Sequence, residues 1–164
     1  ALFGDERCVP PDHPESNFAQ AHQALLSRVW PGGVHRMPGE LGPDEGAAVY
    51  DELLDRIGRL DLALLGMGPD GHTASLFPGN PALEAGGWAV GVRNSPKPPP
   101  ERISLTLPAL RAAGRAVILA TGADKADAVV RATRGEVPAG MLEDATLLLD
   151  RAAATRLPEV LPAG

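Results

Sequence analysis

Cysteine and lysine are scarce in this chain, and long hydrophobic runs are missing. The single cysteine, Cys8, excludes an internal disulfide and suits a reducing compartment. No apolar stretch approaches the ~20 residues of a membrane-spanning helix. The first residues show neither a basic n-region nor an apolar h-region, so no signal peptide is read there. These absences make a cytoplasmic protein with no membrane partner the expectation. Basic residues do not cluster and the formal net charge is −6, which argues against nucleic acid as a partner. Of the fifteen basic side chains only Lys97 and Lys125 are lysines. A lysine kept among so many arginines can reflect a need for a compact ammonium or simple chance, and composition alone leaves both open.

What is present is a globular composition: 164 residues, 44% of them hydrophobic, enough for one domain with its own core. The start, Ala1-Leu2-Phe3-Gly4-Asp5, reads as the end of a buried strand and carries no initiator methionine. One domain over residues 1–164, incomplete at its N-terminus, is the expectation.

The most informative stretch runs from Leu60 through Leu76. Residues 62–65 form a short apolar run, the mark of a buried strand. It breaks into Gly66-Met67-Gly68-Pro69-Asp70-Gly71 and delivers His72. Glycines let backbone amides approach a ligand closely, and His72 places a titratable imidazole at the end of that loop. Asp70 can orient the imidazole and raise its pKa, or merely serve as a turn residue. His72 itself can alternatively cap a short helix or bond within the core.

The spacing predicts alternating helices and strands. One helix is expected over residues 14–30, with Phe18, Ala21, Leu25 and Val29 on one stripe, Asp12 and Glu15 as a capping box, and 31–33 ending it. A second spans 44–57, with Val49, Leu53 and Ile57 on its stripe. A short helix follows His72, cut off by Pro78-Gly79. Strands are expected at 88–92, 103–107 and 117–120, a short apolar element at 147–149, helices at 107–113, 124–133 and 151–157, and an extended proline loop at 94–100. The class is α/β, with a mainly parallel sheet.

Two further clusters carry charge. Gly122-Ala123-Asp124-Lys125 follows an apolar strand and opens a helix, which makes it either a phosphate seat or a capped, solvated turn. Gly4-Asp5-Glu6-Arg7 is either a catalytic cluster or an exposed turn with internal pairing. Asp5, Glu6 and His72 have no metal-ligand spacing, and no metal is expected. The literal G-x-G-x-x-G at residues 66–71 also matches a dinucleotide fingerprint, with Glu84 near the acidic position. That reading needs a long helix after the third glycine, and Pro69 removes one amide from such a cradle.

Taken together, four ordered stretches resemble the 6-phosphogluconolactonase family. They are Gly4-Asp5-Glu6-Arg7-Cys8-Val9-Pro10 with Ser16-Asn17, Leu65 through Gly79, Arg102 through Pro108, and Gly122 through Ala126. The resemblance implies a Rossmann-like three-layer fold without the family's N-terminal strands. It implies hydrolysis of 6-phospho-D-glucono-1,5-lactone, a sugar-phosphate lactone, in the oxidative pentose phosphate pathway, with no cofactor. His72 would be the general base, assisted by Asp70. Gly68 and Gly71 would supply amides to the oxyanion. Arg7, Lys125 and Lys97 would hold the phosphate, with Asp5 beside them. The family's glycine-serine-threonine loop, which also cradles phosphate, is not among the residues of this chain, and the stretch between Gly135 and Leu147 is shorter than usual. The related deaminase-isomerases carry a glutamate five residues beyond the histidine, where this chain has Phe77. A sugar-phosphate-binding module without catalysis is the reading from another class.

Overall fold

Six strands divide into two three-stranded sheets of opposite character in the computed structural model, which describes residues 1–29 and 32–158. The strands are β1 (Asp5–Arg7), β2 (Ala63–Gly66), β3 (Ala89–Val92), β4 (Arg102–Leu105), β5 (Ala116–Ala120) and β6 (Thr146–Leu149). Among the described residues the α-helices are α1 (Asn17–Ala21), α2 (Pro43–Ile57), α3 (Leu107–Arg111) and α4 (Ala126–Thr133). Strands β2, β5 and β6 pair in parallel, with Leu65 opposite Ile118 and Ile118 opposite Leu147. Strands β1, β4 and β3 pair antiparallel, with Glu6 opposite Ile103 and Ile103 opposite Gly91.

The α/β class therefore holds, but parallel pairing is confined to one of the two sheets. The reason lies in the connections. Each parallel neighbour is reached through a crossover that contains helix, whereas β3 returns directly into β4 through the proline loop, which forces antiparallel pairing. All four β4 residues are buried, where alternation had suggested a half-buried strand.

Helix α2 packs across β3 and β4. It buries Gly46, Ala47, Tyr50 and Leu54, while Val49 and Ile57 of the expected stripe are exposed. Gly46 sets this face, because a β-carbon there would press on Ile103 and the Pro38 carbonyl. Tyr50 is accommodated because its hydroxyl accepts the Phe3 N–H at 2.9 Å and lies within donating reach of the Phe3 and His35 carbonyls.

The expected first helix is shorter than its pattern. It starts at Asn17, with Ser16 rather than Asp12 as cap; the Ser16 hydroxyl accepts the Ala19 N–H at 3.1 Å. A π-helical turn, His22–Leu26, follows, and Leu25 and Val29 are exposed. Trp30 and Pro31 lie outside the described residues. No helix follows His72: Thr73 to Leu76 is a tight turn with Ala74 at a φ of 48°. Residues 151–157 form successive turns rather than a helix. Among the described residues, no helix is long and apolar enough to cross a membrane.

Candidate active site

The carboxyl ends of β2 and β5 feed the glycine loop and the Lys125 turn, and β1 brings Asp5 and Arg7 to the same place. An open cavity of about 430 Å³ lies between them. It is lined by Asp5, Arg7, Gly68, His72, Lys97 and Lys125, together with Asn17 and Arg102. That volume falls within the usual span for small-molecule sites. Two other expected residues stand outside the lining. Asp70 lies behind His72, and Gly71 packs away from the cavity.

His72 is held on several sides. Its Nδ1 lies 2.5 Å from Asp70 Oδ1, and the same oxygen accepts its main-chain N–H at 3.3 Å. The Phe77 ring lies 4.6 Å from the imidazole, centroid to centroid. Burial pushes the imidazole pKa below its ordinary value near 6.5, and Lys97 pushes the same way. Asp70 and Asp5 oppose this and lose. Asp70 pulls the imidazole pKa upward as expected, but burial outweighs it and the net shift is downward. Burial also pushes the Asp70 carboxyl up, but its hydrogen bonds and charge contact with His72 bring it below the ordinary value. An ionised carboxylate only accepts, so Nδ1 carries the hydrogen and Nε2 is left with a free lone pair.

The two glycines do something other than expected. The Gly68 N–H donates to the His72 carbonyl, and the Gly71 N–H donates to the Gly68 carbonyl, each at 2.9 Å. These amides close the loop and are not available to an oxyanion. A β-carbon on Gly68 would overlap the His72 ring. Gly71, at a φ of +86°, lets Val137 pack against it. Gly68 leaves room for the imidazole at the cavity wall, and Gly71 leaves room for Val137 away from it.

Asp5 is tied into the floor of the cavity. Its carboxylate accepts from Ser75 Oγ at 2.7 Å and Asn17 Nδ2 at 3.1 Å, and Arg102 Nη1 stands 4.0 Å away. Glu6 is buried and caps α1, accepting from Ser16 Oγ and the N–H groups of Arg7, Asn17 and Phe18. Its oxygens are occupied, so it makes no metal site with Asp5 and His72. Arg7 donates to the Glu15 carbonyl at 2.6 Å, while its buried Nε has no partner among the described residues. The Lys125 ammonium lies 3.3 Å from Asp124. Cys8 is half-buried, and burial is the main reason its thiol pKa is pushed up to about 11, which leaves it an unreactive thiol.

With the turn after His72 in place of a helix, the dinucleotide fingerprint has no helix N-terminus for a pyrophosphate. The family model for glucosamine-6-phosphate isomerases/6-phosphogluconolactonase matches residues 1–149. This chain belongs to that family. It is 45% identical to a 6-phosphogluconolactonase of Streptomyces coelicolor, over 97% of this chain and 70% of that protein. It is 44% identical to one of Mycobacterium leprae, over 96% of this chain and 72% of that protein. The solved 6-phosphogluconolactonase of Trypanosoma brucei superposes with a TM-score of 0.82 at 26% identity, covering 96% of this chain and 73% of that one.

Asn17 and Arg102 are polar cavity residues that reading by residue type passed over, and Arg102 is the charged one. A charge on an alternating strand reads as a solvent-facing position, yet Arg102 is buried. The polar alternation Arg102-Ser104-Thr106 was the available signal. All three are buried, and Ser104 Oγ accepts the Ser75 N–H at 3.1 Å, which fixes the turn after His72.

Proposed function

We propose that this chain hydrolyses 6-phospho-D-glucono-1,5-lactone to 6-phospho-D-gluconate, a step of the oxidative pentose phosphate pathway. The observation that carries this reading is the shared cavity: an imidazole oriented by Asp70 and four cationic side chains open onto one space large enough for a phosphosugar. His72 Nε2 takes a proton from water as the water oxygen attacks the lactone carbonyl carbon. Asp70 stabilises the imidazolium that forms. As the ring C–O bond breaks, the imidazolium returns the proton to the departing ring oxygen. The phosphate sits among Lys125, Arg7 and Lys97, with Asp5 orienting the floor. With the Gly68 and Gly71 amides occupied, the negative charge developing on the carbonyl oxygen is stabilised at longer range by the positive potential of the cavity. No cofactor enters this scheme.

The deaminase-isomerase reading lacks a proton-shuttling group at Phe77, whose ring instead packs on the imidazole. We assign the reaction to the cytoplasm; a single free cysteine, with no disulfide to keep, suits a reducing compartment.

The test is the rate of lactone opening above the spontaneous rate. The chain is expected to accelerate it, and His72→Ala is expected to remove most of that acceleration, on the order of 10²-fold or more. A wild-type chain that binds 6-phosphogluconate without accelerating the lactone would leave only a binding module.

A further inference from the structure

Arg102 makes an unusual set of bonds for a buried cation. It is 5% exposed, yet its nearest carboxylate, on Asp5, is 4.0 Å away. Its guanidinium is directed instead at three successive main-chain carbonyls. Nη2 donates to Lys97 O at 3.0 Å and Pro98 O at 3.2 Å, and Nε donates to Pro99 O at 3.1 Å. Residues 96 and 98–100 are prolines, which have no N–H to donate. The segment cannot build a ladder of its own, so its carbonyls need an outside donor. The planar fork of an arginine spans three of them at once, which the point charge of a lysine does not. At the other end, Ser95 Oγ donates to Lys97 O at 2.9 Å and accepts the Lys97 N–H at 3.2 Å. Both sets of bonds converge on the backbone of Lys97, whose exposed side chain lines the cavity. The same guanidinium lies 5.6 Å from the centre of the Phe77 ring that packs on His72.

We propose that Arg102 is a positioning residue: it clamps the proline loop so that the Lys97 ammonium is held at the cavity for the phosphate of the substrate. This rests on the reading of the cavity as a phosphosugar site. Arg102 acts through Lys97 and makes no contact with the reacting atoms in this assignment.

The test is a double-mutant cycle on the full chain with Arg102→Lys, Lys97→Ala and the combined variant. Two quantities are read: steady-state kinetics on 6-phospho-D-glucono-1,5-lactone, and 6-phosphogluconate affinity by titration without turnover. Arg102→Lys is expected to raise KM and weaken product binding by about fivefold to tenfold, with a smaller change in kcat. In the Lys97→Ala background the same change is expected to add less than about twofold, because its effect has already been removed. Effects that multiply, or a loss confined to kcat, overturn the clamp. Ser95→Ala, which cuts the second tie to Lys97, should behave like Arg102→Lys and keeps the test open if the latter does not fold. Coupling seen in product binding without lactone turnover sustains the clamp and overturns the proposed reaction. Turnover with multiplicative effects does the reverse.

Discussion

Asp70 Oδ1 stands 2.5 Å from His72 Nδ1 and also accepts the His72 main-chain N–H, so one carboxylate oxygen fixes both the ring and the backbone of the proposed base. Asp70→Asn keeps the shape but removes the charge that raises the imidazole pKa. The sign follows directly: less stabilisation of the imidazolium moves the acid limb of kcat/KM to lower pH. The fall in kcat is expected to be about tenfold to a hundredfold, because general-base catalysis as a whole contributes on the order of 10²–10⁴. A pH–rate profile checks both.

Lys97 acts on the same imidazole in the opposite sense, its charge lowering the pKa. Lys97→Met should therefore move the acid limb toward higher pH, closer to the ordinary histidine value near 6.5. KM should rise in the same variant. The opposite directions of the Asp70 and Lys97 variants, measured in one buffer series, separate an electrostatic effect from general damage to the fold.

Gly68→Ala tests the seat of the imidazole. The obstruction an added methyl meets is the His72 ring with Asp70 Oδ1, side-chain atoms rather than main chain, so the methyl displaces the imidazole from its seat. The expected result is a loss of kcat with little change in thermal stability. Gly140→Ala is the contrasting variant, because there the methyl meets the Ala132 main chain. It should cost about 1–3 kcal/mol of stability by overpacking. Thermal or denaturant unfolding beside kinetics distinguishes the two.

Lys125→Met is expected to raise KM for the phosphorylated lactone about tenfold to a hundredfold, as a charge-assisted contact of roughly 1.5–3 kcal/mol is lost. The unphosphorylated lactone, which offers no anion to Lys125, should show no comparable change. Equal losses for both substrates would mean that Lys125 supports the fold rather than the phosphate.

Much of this was legible in the residues because local chemistry decides it. The apolar run ending in glycines marks β2 and its loop, and His72 and Lys125 each follow a strand of the parallel sheet directly. Helix α2 was found to within a residue, but its buried face was not, since that face follows a long-range approach of Gly46 to Ile103. The antiparallel sheet depends on β1 meeting β4 nearly a hundred residues later, which no local pattern encodes. The turn after His72 replaces the expected helix because Ser75 is held by Ser104 and Asp5 from other strands. Arg102 stayed hidden for a similar reason: only the folded loop reveals carbonyls for it to serve.

The most direct test of the central claim is a crystal structure of this chain with 6-phosphogluconate bound. The phosphate is expected against Lys125 and Arg7, with the C1 carboxylate within about 2.6–3.2 Å of His72 Nε2. A product molecule whose phosphate sits away from both cations, or whose carboxylate lies beyond reach of the imidazole, would contradict the account.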